Sequence, residues 1–188
     1  MESLRDRLRQ VSAEWHDQVD QVFSSFPLDT PEGYCRFLEA HARALLPLEE
    51  GLEARGIERL LPDWHGRRRR FVLAQDIETL GGSVPSAPAL ELPQGDAWLW
   101  GAAYVVEGSR MGSRMLGKRL QDSDRSWAHP ALGYLCHRLD TPLWPAFVKR
   151  LDGQAGTLDD EAMIAGARAT FALFQAAGKA TSEVPASV

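Results

Sequence analysis

The stretch Gly101-Ala102-Ala103-Tyr104-Val105-Val106-Glu107-Gly108-Ser109-Arg110-Met111-Gly112 lies inside a run, from about 95 to 121, that reads as one long helix. At about 100° per residue, Gly101, Gly108 and Gly112 fall within about 40° of one another on one face. Each glycine costs about 1 kcal/mol against alanine in a helix interior, and Gly117 adds another nearby. A helix that carries this penalty repeatedly on one face needs something close to its bare backbone. Two readings meet that need: a second helix packed tightly against it, or a flat ligand lying in a groove against main chain.

Outward from this run, almost every segment reads as helix, and no alternating β-branched run bounded by tight turns suggests a sheet. A first helix spans about 2–25, with Leu4, Leu8, Val11, Trp15, Val19 and Val22 at three- and four-residue spacing. A second starts at Thr30-Pro31-Glu32, with Thr30 as N-cap, and runs toward Gly56 with a kink expected at Pro47. A third covers about 66–80, and the proline-rich residues 83–94 form a loop. Shorter helical stretches follow near 129–139 and 142–152. A last helix runs from about 157 to 178, capped within Thr157–Glu161. The fold class is all-α: one domain over residues 1–180, with a flexible tail at 181–188.

Composition narrows the function classes. The 188 residues carry 44% apolar and 25% charged side chains and a net charge of −5. Such an acidic balance speaks against nucleic-acid binding by global charge. No apolar run approaches the length needed to span a bilayer, and the charged, amphipathic start lacks the pattern of a secretory signal. Two cysteines, Cys35 and Cys136, exclude a disulfide framework and fit a reducing compartment. The expectation is a cytoplasmic protein without nucleic-acid or membrane partners.

The first helix supplies the candidate ligand. His16 sits at the edge of its apolar stripe, with Arg9 seven residues before and Asp20 four after, all along one side. A neutral imidazole can bind a metal through one nitrogen while the other donates to a carboxylate, and Asp20 stands at the spacing for that carboxylate. Arg9 is placed to meet an anionic group on the same ligand. Spacing alone leaves His16 either a ligand or an edge-of-core residue.

Leu8-Arg9-Gln10-Val11-Ser12-Ala13-Glu14-Trp15-His16 resembles the amino-terminal segment of heme oxygenases that ends in the proximal heme ligand. The stretch from Gly101 to Gly112 resembles their distal helix, in the bacterial branch that reads Tyr-Val-x-Glu-Gly-Ser-x-x-Gly. Asp76-Ile77-Glu78-Thr79-Leu80-Gly81 and Ala169-Thr170-Phe171 are similar to the bacteriophytochrome-associated members. The likeness covers residues 4–175 in order.

The resemblance implies heme b, both substrate and prosthetic group, between a proximal and a distal helix. His16 would be the axial ligand, with Asp20 behind it, and Gly108, Ser109 and Gly112 would shape the oxygen site. It further implies oxygen-dependent ring opening to biliverdin, carbon monoxide and ferrous iron. Electrons would come from an external ferredoxin or reductase, and a bacteriophytochrome would receive the bilin. Arg9, with Lys149 as a weaker candidate alongside Arg150, would meet the cofactor's propionates, Tyr104 would contact the cofactor, and Phe171 would pack on its edge or in the core. A single imidazole leaves the sixth iron position open for oxygen, and no protein nucleophile is needed.

The sequence departs from the mammalian motif at two places. Ser109 stands where an aspartate organises distal water, and Ser113 replaces the second glycine of a pair. The anchor of the water network must lie elsewhere, with Arg114 or backbone carbonyls as candidates. Arg67-Arg68-Arg69-Arg70 reads as a solvated first helical turn, with docking of an acidic redox donor as the second reading. His41 reads as a core-edge residue. Two other function classes stand beside the enzyme: a non-catalytic heme-binding, storage or sensing protein, and a helical interaction domain without heme.

Overall fold

The computed structural model describes residues 3–183, and every regular element among them is helical. The α-helices are α1 (Leu4–Phe23), α2 (Pro31–Ala54), α3 (Trp64–Arg67), α4 (Arg70–Thr79), α5 (Asp96–Gln121), α6 (Leu143–Asp152) and α7 (Asp160–Glu183). Short 3-10 turns lie at Ile57–Arg59 and His129–Ala131.

Capping explains where several helices begin. The Ser3 hydroxyl accepts from the Asp6 amide at 3.1 Å, and the Thr30 hydroxyl accepts from the Gly33 amide at 3.1 Å. Asp159 accepts from the Glu161 and Ala162 amides at 3.0 and 3.2 Å. Each cap satisfies amides that have no partner within the helix. Pro47 lies inside α2 without ending it.

α7 is the hub of the bundle, packed against α1, α2 and α5. Against α5 the approach is backbone to backbone. A Cβ on Gly101 would stand 1.8 Å from the Met163 carbonyl oxygen, and one on Gly166 would stand 2.1 Å from that of Trp98. Gly101 therefore answers to helix packing. It does not share an open groove with Gly108 and Gly112, as one glycine face had suggested.

Three helix boundaries differ from the sequence reading. The third helix is two, α3 and α4, because Arg68 is extended at φ −58°, ψ 141°. The stretch 129–139 is a 3-10 turn followed by irregular turns. There the Asp76 carboxylate takes the Gly133 and Tyr134 amides at 3.2 and 2.7 Å, so those amides bond to a side chain and no α-helix continues. α7 extends to Glu183, so residues 181–183 are helix and not tail, and residues 184–188 lie outside the described residues. Thr181 is buried, its hydroxyl donates to the Ala177 carbonyl at 2.9 Å, and the Arg36 guanidinium donates to the Thr181 carbonyl.

Candidate functional site

On α1, His16 Nδ1 lies 3.2 Å from Asp20 Oδ2, one helical turn away. The imidazole packs edge-on against the buried Phe171 ring of α7, with centroids 6.0 Å apart. Its side chain is 60% exposed, and Nε2 has no hydrogen-bond partner among the described residues. Nδ1 toward a carboxylate and Nε2 toward open space is the tautomer arrangement of a metal-binding imidazole.

Tyr104 comes from α5 to meet α1. Its phenol is buried, which pushes its pKa up, while the Ser12 hydroxyl against it and the Arg5 and Arg9 charges work the other way. Arg9, exposed on α1, thus lies within electrostatic reach of the Tyr104 phenol on α5. Ser12, buried on the α1 face, was not singled out by sequence. Lys149 and Arg150 are exposed on α6.

The α5 glycines have different surroundings. A Cβ on Gly108 would lie 3.6 Å from the Trp144 ring, whereas one on Gly112 would meet nothing within 4 Å. Beside Gly108, the Ser109 hydroxyl donates to the Val106 carbonyl at 2.8 Å and accepts from Arg69 Nη2 at 2.7 Å. Arg69 Nη2 also donates to Val106 O at 2.9 Å, and Nη1 reaches Ser113 Oγ at 3.4 Å. The guanidinium lies over the Tyr134 ring, 4.8 Å from its centroid. One buried arginine therefore serves both serines that depart from the mammalian motif.

This overturns the solvated reading of the arginine run. Arg67 and Arg69 are 0% and 1% exposed. Extended backbone at Arg68 sends successive side chains to opposite sides. Arg67 and Arg69 point inward to α5, and Arg68 and Arg70 pair with Glu53 at 3.1 and 2.7 Å. Arg67 Nη1 reaches Glu107 Oε2 at 2.6 Å and Nη2 reaches Asp63 at 2.8 Å. Arg110 closes on the same Glu107 carboxylate at 3.0 and 2.9 Å. A signal was present: Glu107 ends an apolar run and needs a buried cation, which only a distant segment supplies.

His41 is half-buried, with Nδ1 donating to the Phe37 carbonyl at 2.9 Å. Rings of Phe23, Phe37, Tyr134 and Phe174 surround it at 4.2, 4.3, 5.5 and 6.0 Å. Burial pushes its pKa down to about 4; the Phe37 bond opposes this, and the Arg69 charge adds to it. The imidazole is neutral at pH 7.

Among the described residues, no three His, Cys, Asp or Glu side chains converge on a bare metal ion. A lone imidazole with a free nitrogen, a glycine edge open to space and an arginine–tyrosine pair form a set that would hold a flat metal complex carrying acidic groups.

No family model matches the chain. The chain is 34% identical over 149 residues to a protein described as heme oxygenase from Xanthomonas campestris pv. campestris (strain 8004), spanning 75% of this chain and 86% of that one. Its fold is similar to that of the NO- and CO-bound heme oxygenase from Neisseria meningitidis. That match has a TM-score of 0.81 and 24% identity and covers 100% of this chain and 96% of the other.

Proposed function

The chain belongs to the heme oxygenase family, and from that premise we propose that heme lies between α1 and α5, with its iron on His16 Nε2. It acts as a heme-degrading oxidoreductase, taking oxygen and externally supplied electrons. When bound, heme supplies both the iron at which oxygen is reduced and the ring that is opened.

The observation that carries the assignment of the site is His16, exposed, with Nδ1 on Asp20 and Nε2 unpartnered. Asp20 fixes the ring's tautomer and raises the basicity of Nε2. Phe171 sets the ring plane by its edge contact. Arg9 and Tyr104 would hold the propionates, with Lys149 as a further cation from α6. On the distal side Gly108 and Gly112 keep side chains off the ring. Ser109 presents a hydroxyl whose own proton is committed to Val106 O and whose lone pair is held by Arg69. Arg69, not Arg114, therefore anchors the polar distal network, and its fixed charge takes the place of the missing aspartate in orienting water.

Heme b fits this donor set, which offers one imidazole and no thiolate. A ferredoxin or a reductase supplies the electrons, and the similarity at 76–81 and 169–171 supports a bacteriophytochrome as recipient of biliverdin. No helix among the described residues is long and apolar enough to cross a membrane, in keeping with a cytoplasmic site of action.

The test mixes the purified chain with hemin and follows spectra after reductant and oxygen are added. A Soret complex that converts to bilin with release of carbon monoxide is expected; a stable complex that yields no bilin refutes the activity. His16→Ala abolishes histidine ligation. Asp20→Ala weakens heme binding or turnover by about 10–100-fold. Unchanged ligand-field spectra in the His16 variant refute the ligand assignment.

A further inference from the structure

Asp76, the first residue of the stretch 76–81, is buried on α4 and forms no ion pair among the described residues. Both of its oxygens go to backbone: Oδ1 accepts from the Gly133 amide at 3.2 Å and Oδ2 from the Tyr134 amide at 2.7 Å. From α2, the buried Tyr34 hydroxyl donates to the Ala131 carbonyl at 2.7 Å. The irregular segment 131–134 is thus fastened to two helices by side chains, which replace the backbone bonds it lacks. A Cβ on Gly133 would stand 3.0 Å from Asp76 Oδ1, so a side chain there would crowd the carboxylate.

This fastening fixes the Tyr134 ring. Tyr134 is buried, with the His41 imidazole packed against it at 5.5 Å and the Ser113 hydroxyl beside its phenol. The Arg69 guanidinium lies over the ring, 4.8 Å from its centroid.

Arg69 leans on that ring more than its neighbours in the run lean on anything aromatic. Arg67 is held by the Glu107 carboxylate, and Arg68 and Arg70 by that of Glu53. Arg69 forms no ion pair among the described residues, and its Nε has no partner. Its bonds to Val106 O, Ser109 Oγ and Ser113 Oγ all go to neutral oxygens. Two of these three acceptors are hydroxyls, which rotate to suit a donor and do not fix its direction. A buried aromatic face attracts a cation, and the attraction grows when both are out of water. The plane of Tyr134 therefore decides where the Arg69 fork points.

We propose that Tyr134 is a positioning residue for the oxygen site: with its backbone tied to Asp76, its ring holds the Arg69 guanidinium on Ser109. Tyr134 acts through Arg69, and Asp76 acts through Tyr134. The inference rests on the placement of Ser109 and Arg69 beside heme. It gives Asp76, at the head of the stretch 76–81, the task of securing the wall on which the distal charge is mounted.

Two measurements on the full chain test it, with Tyr134→Leu, Tyr134→Phe and Asp76→Asn. Asp76→Asn turns one acceptor into a donor facing an amide, and it serves if Tyr134→Leu does not fold. In the apoprotein, NMR reads the guanidinium N–H signals of Arg69, assigned by their absence in Arg69→Gln. Resolved signals are expected in the wild type and in Tyr134→Phe, which keeps the ring, and their loss to exchange in Tyr134→Leu and Asp76→Asn. In the hemin-loaded protein, Tyr134→Leu should move the acid-to-alkaline spectral transition upward by at most about one pH unit, the shift expected of Arg69→Gln. Tyr134→Phe should leave it in place. The double variant should shift it no further than Arg69→Gln alone, because the two residues act as a unit. Signals that persist in either weakening variant, or additive shifts in the double variant, overturn the proposal. If the signals are lost yet neither Tyr134→Leu nor Arg69→Gln moves the transition, Arg69 does not stand beside heme, and the role of Tyr134 in the oxygen site falls with that placement.

Discussion

Arg67 Nη1 and Glu107 Oε2 meet at 2.6 Å with neither side chain exposed to solvent. The pair ties the break between α3 and α4 to the middle of α5, directly before Gly108. Burial works against the Arg67 charge, yet Asp63 and Glu107 together raise its pKa above the ordinary value. Arg110 supplies Glu107 with a second guanidinium. With Arg110 still on Glu107, loss of the Arg67 guanidinium removes charged hydrogen bonds without leaving the carboxylate bare, which costs about 1.5–3 kcal/mol. Arg67→Met is expected to lower unfolding stability in urea by about that amount, while Arg68→Met, on a partly exposed pair, changes it by less than about 1 kcal/mol. Equal effects of the two would contradict the inward and outward alternation.

The glycines of α5 separate by what surrounds them. Alanine at Gly101 drives a methyl into the Met163 carbonyl and forces α5 away from α7. Overpacking of this kind costs about 1–3 kcal/mol or more, and the clash is with backbone, which yields little. At Gly112 the added methyl meets open space, so the helix-propensity gain of up to about 1 kcal/mol is free to appear. Thermal melts of the two apoproteins should move in opposite directions. Heme affinity or turnover is the property Gly112→Ala should damage.

Arg69 presents its charge to Ser109, and that charge favours any negative form arising next to the hydroxyl. In the hemin-loaded protein, Arg69→Gln should shift the acid-to-alkaline spectral transition upward by about one pH unit, equivalent to about 1.4 kcal/mol of lost charge stabilisation. Arg69→Lys should restore most of the shift. If the transition stays in place in Arg69→Gln while the Soret band forms normally, Arg69 is a packing residue alone.

His41 and His137 are both held at a pKa of about 4, against an ordinary 6.5. Between those values the unfolded chain binds protons that the folded chain does not. The stability tied to these rings therefore falls as pH drops from 6.5 to 4. Glu49 and Asp76, pushed up by burial, have the opposite sign, since the folded form then holds the extra proton and stability falls as pH rises. Comparison with a variant of one ring isolates His137. Urea unfolding of the wild type and of His137→Gln at pH 7 and pH 4.5 should show a larger acid loss in the wild type. Parallel losses would mean that His137 titrates normally in the folded state.

Local rules sufficed for much of this molecule. Helical periodicity, the Thr30-Pro31 cap and the absence of strand patterns determined the helical class and nearly all boundaries of α1, α2 and α5, because those depend on neighbours within four residues. The same arithmetic put His16, Asp20 and Arg9 on one side of α1, and the observed His16–Asp20 contact is an intrahelical one. The resemblance at Gly101–Gly112 named the family. Tertiary structure alone decided the rest. A run of four arginines looks solvated until Glu107 and Ser109, some forty residues away, arrive as partners for two of them. Gly101 and Gly112 share a helical face in sequence, but α7 covers one and leaves the other bare. Periodicity reports which way a side chain points, and only the packing of distant elements determines what it meets there.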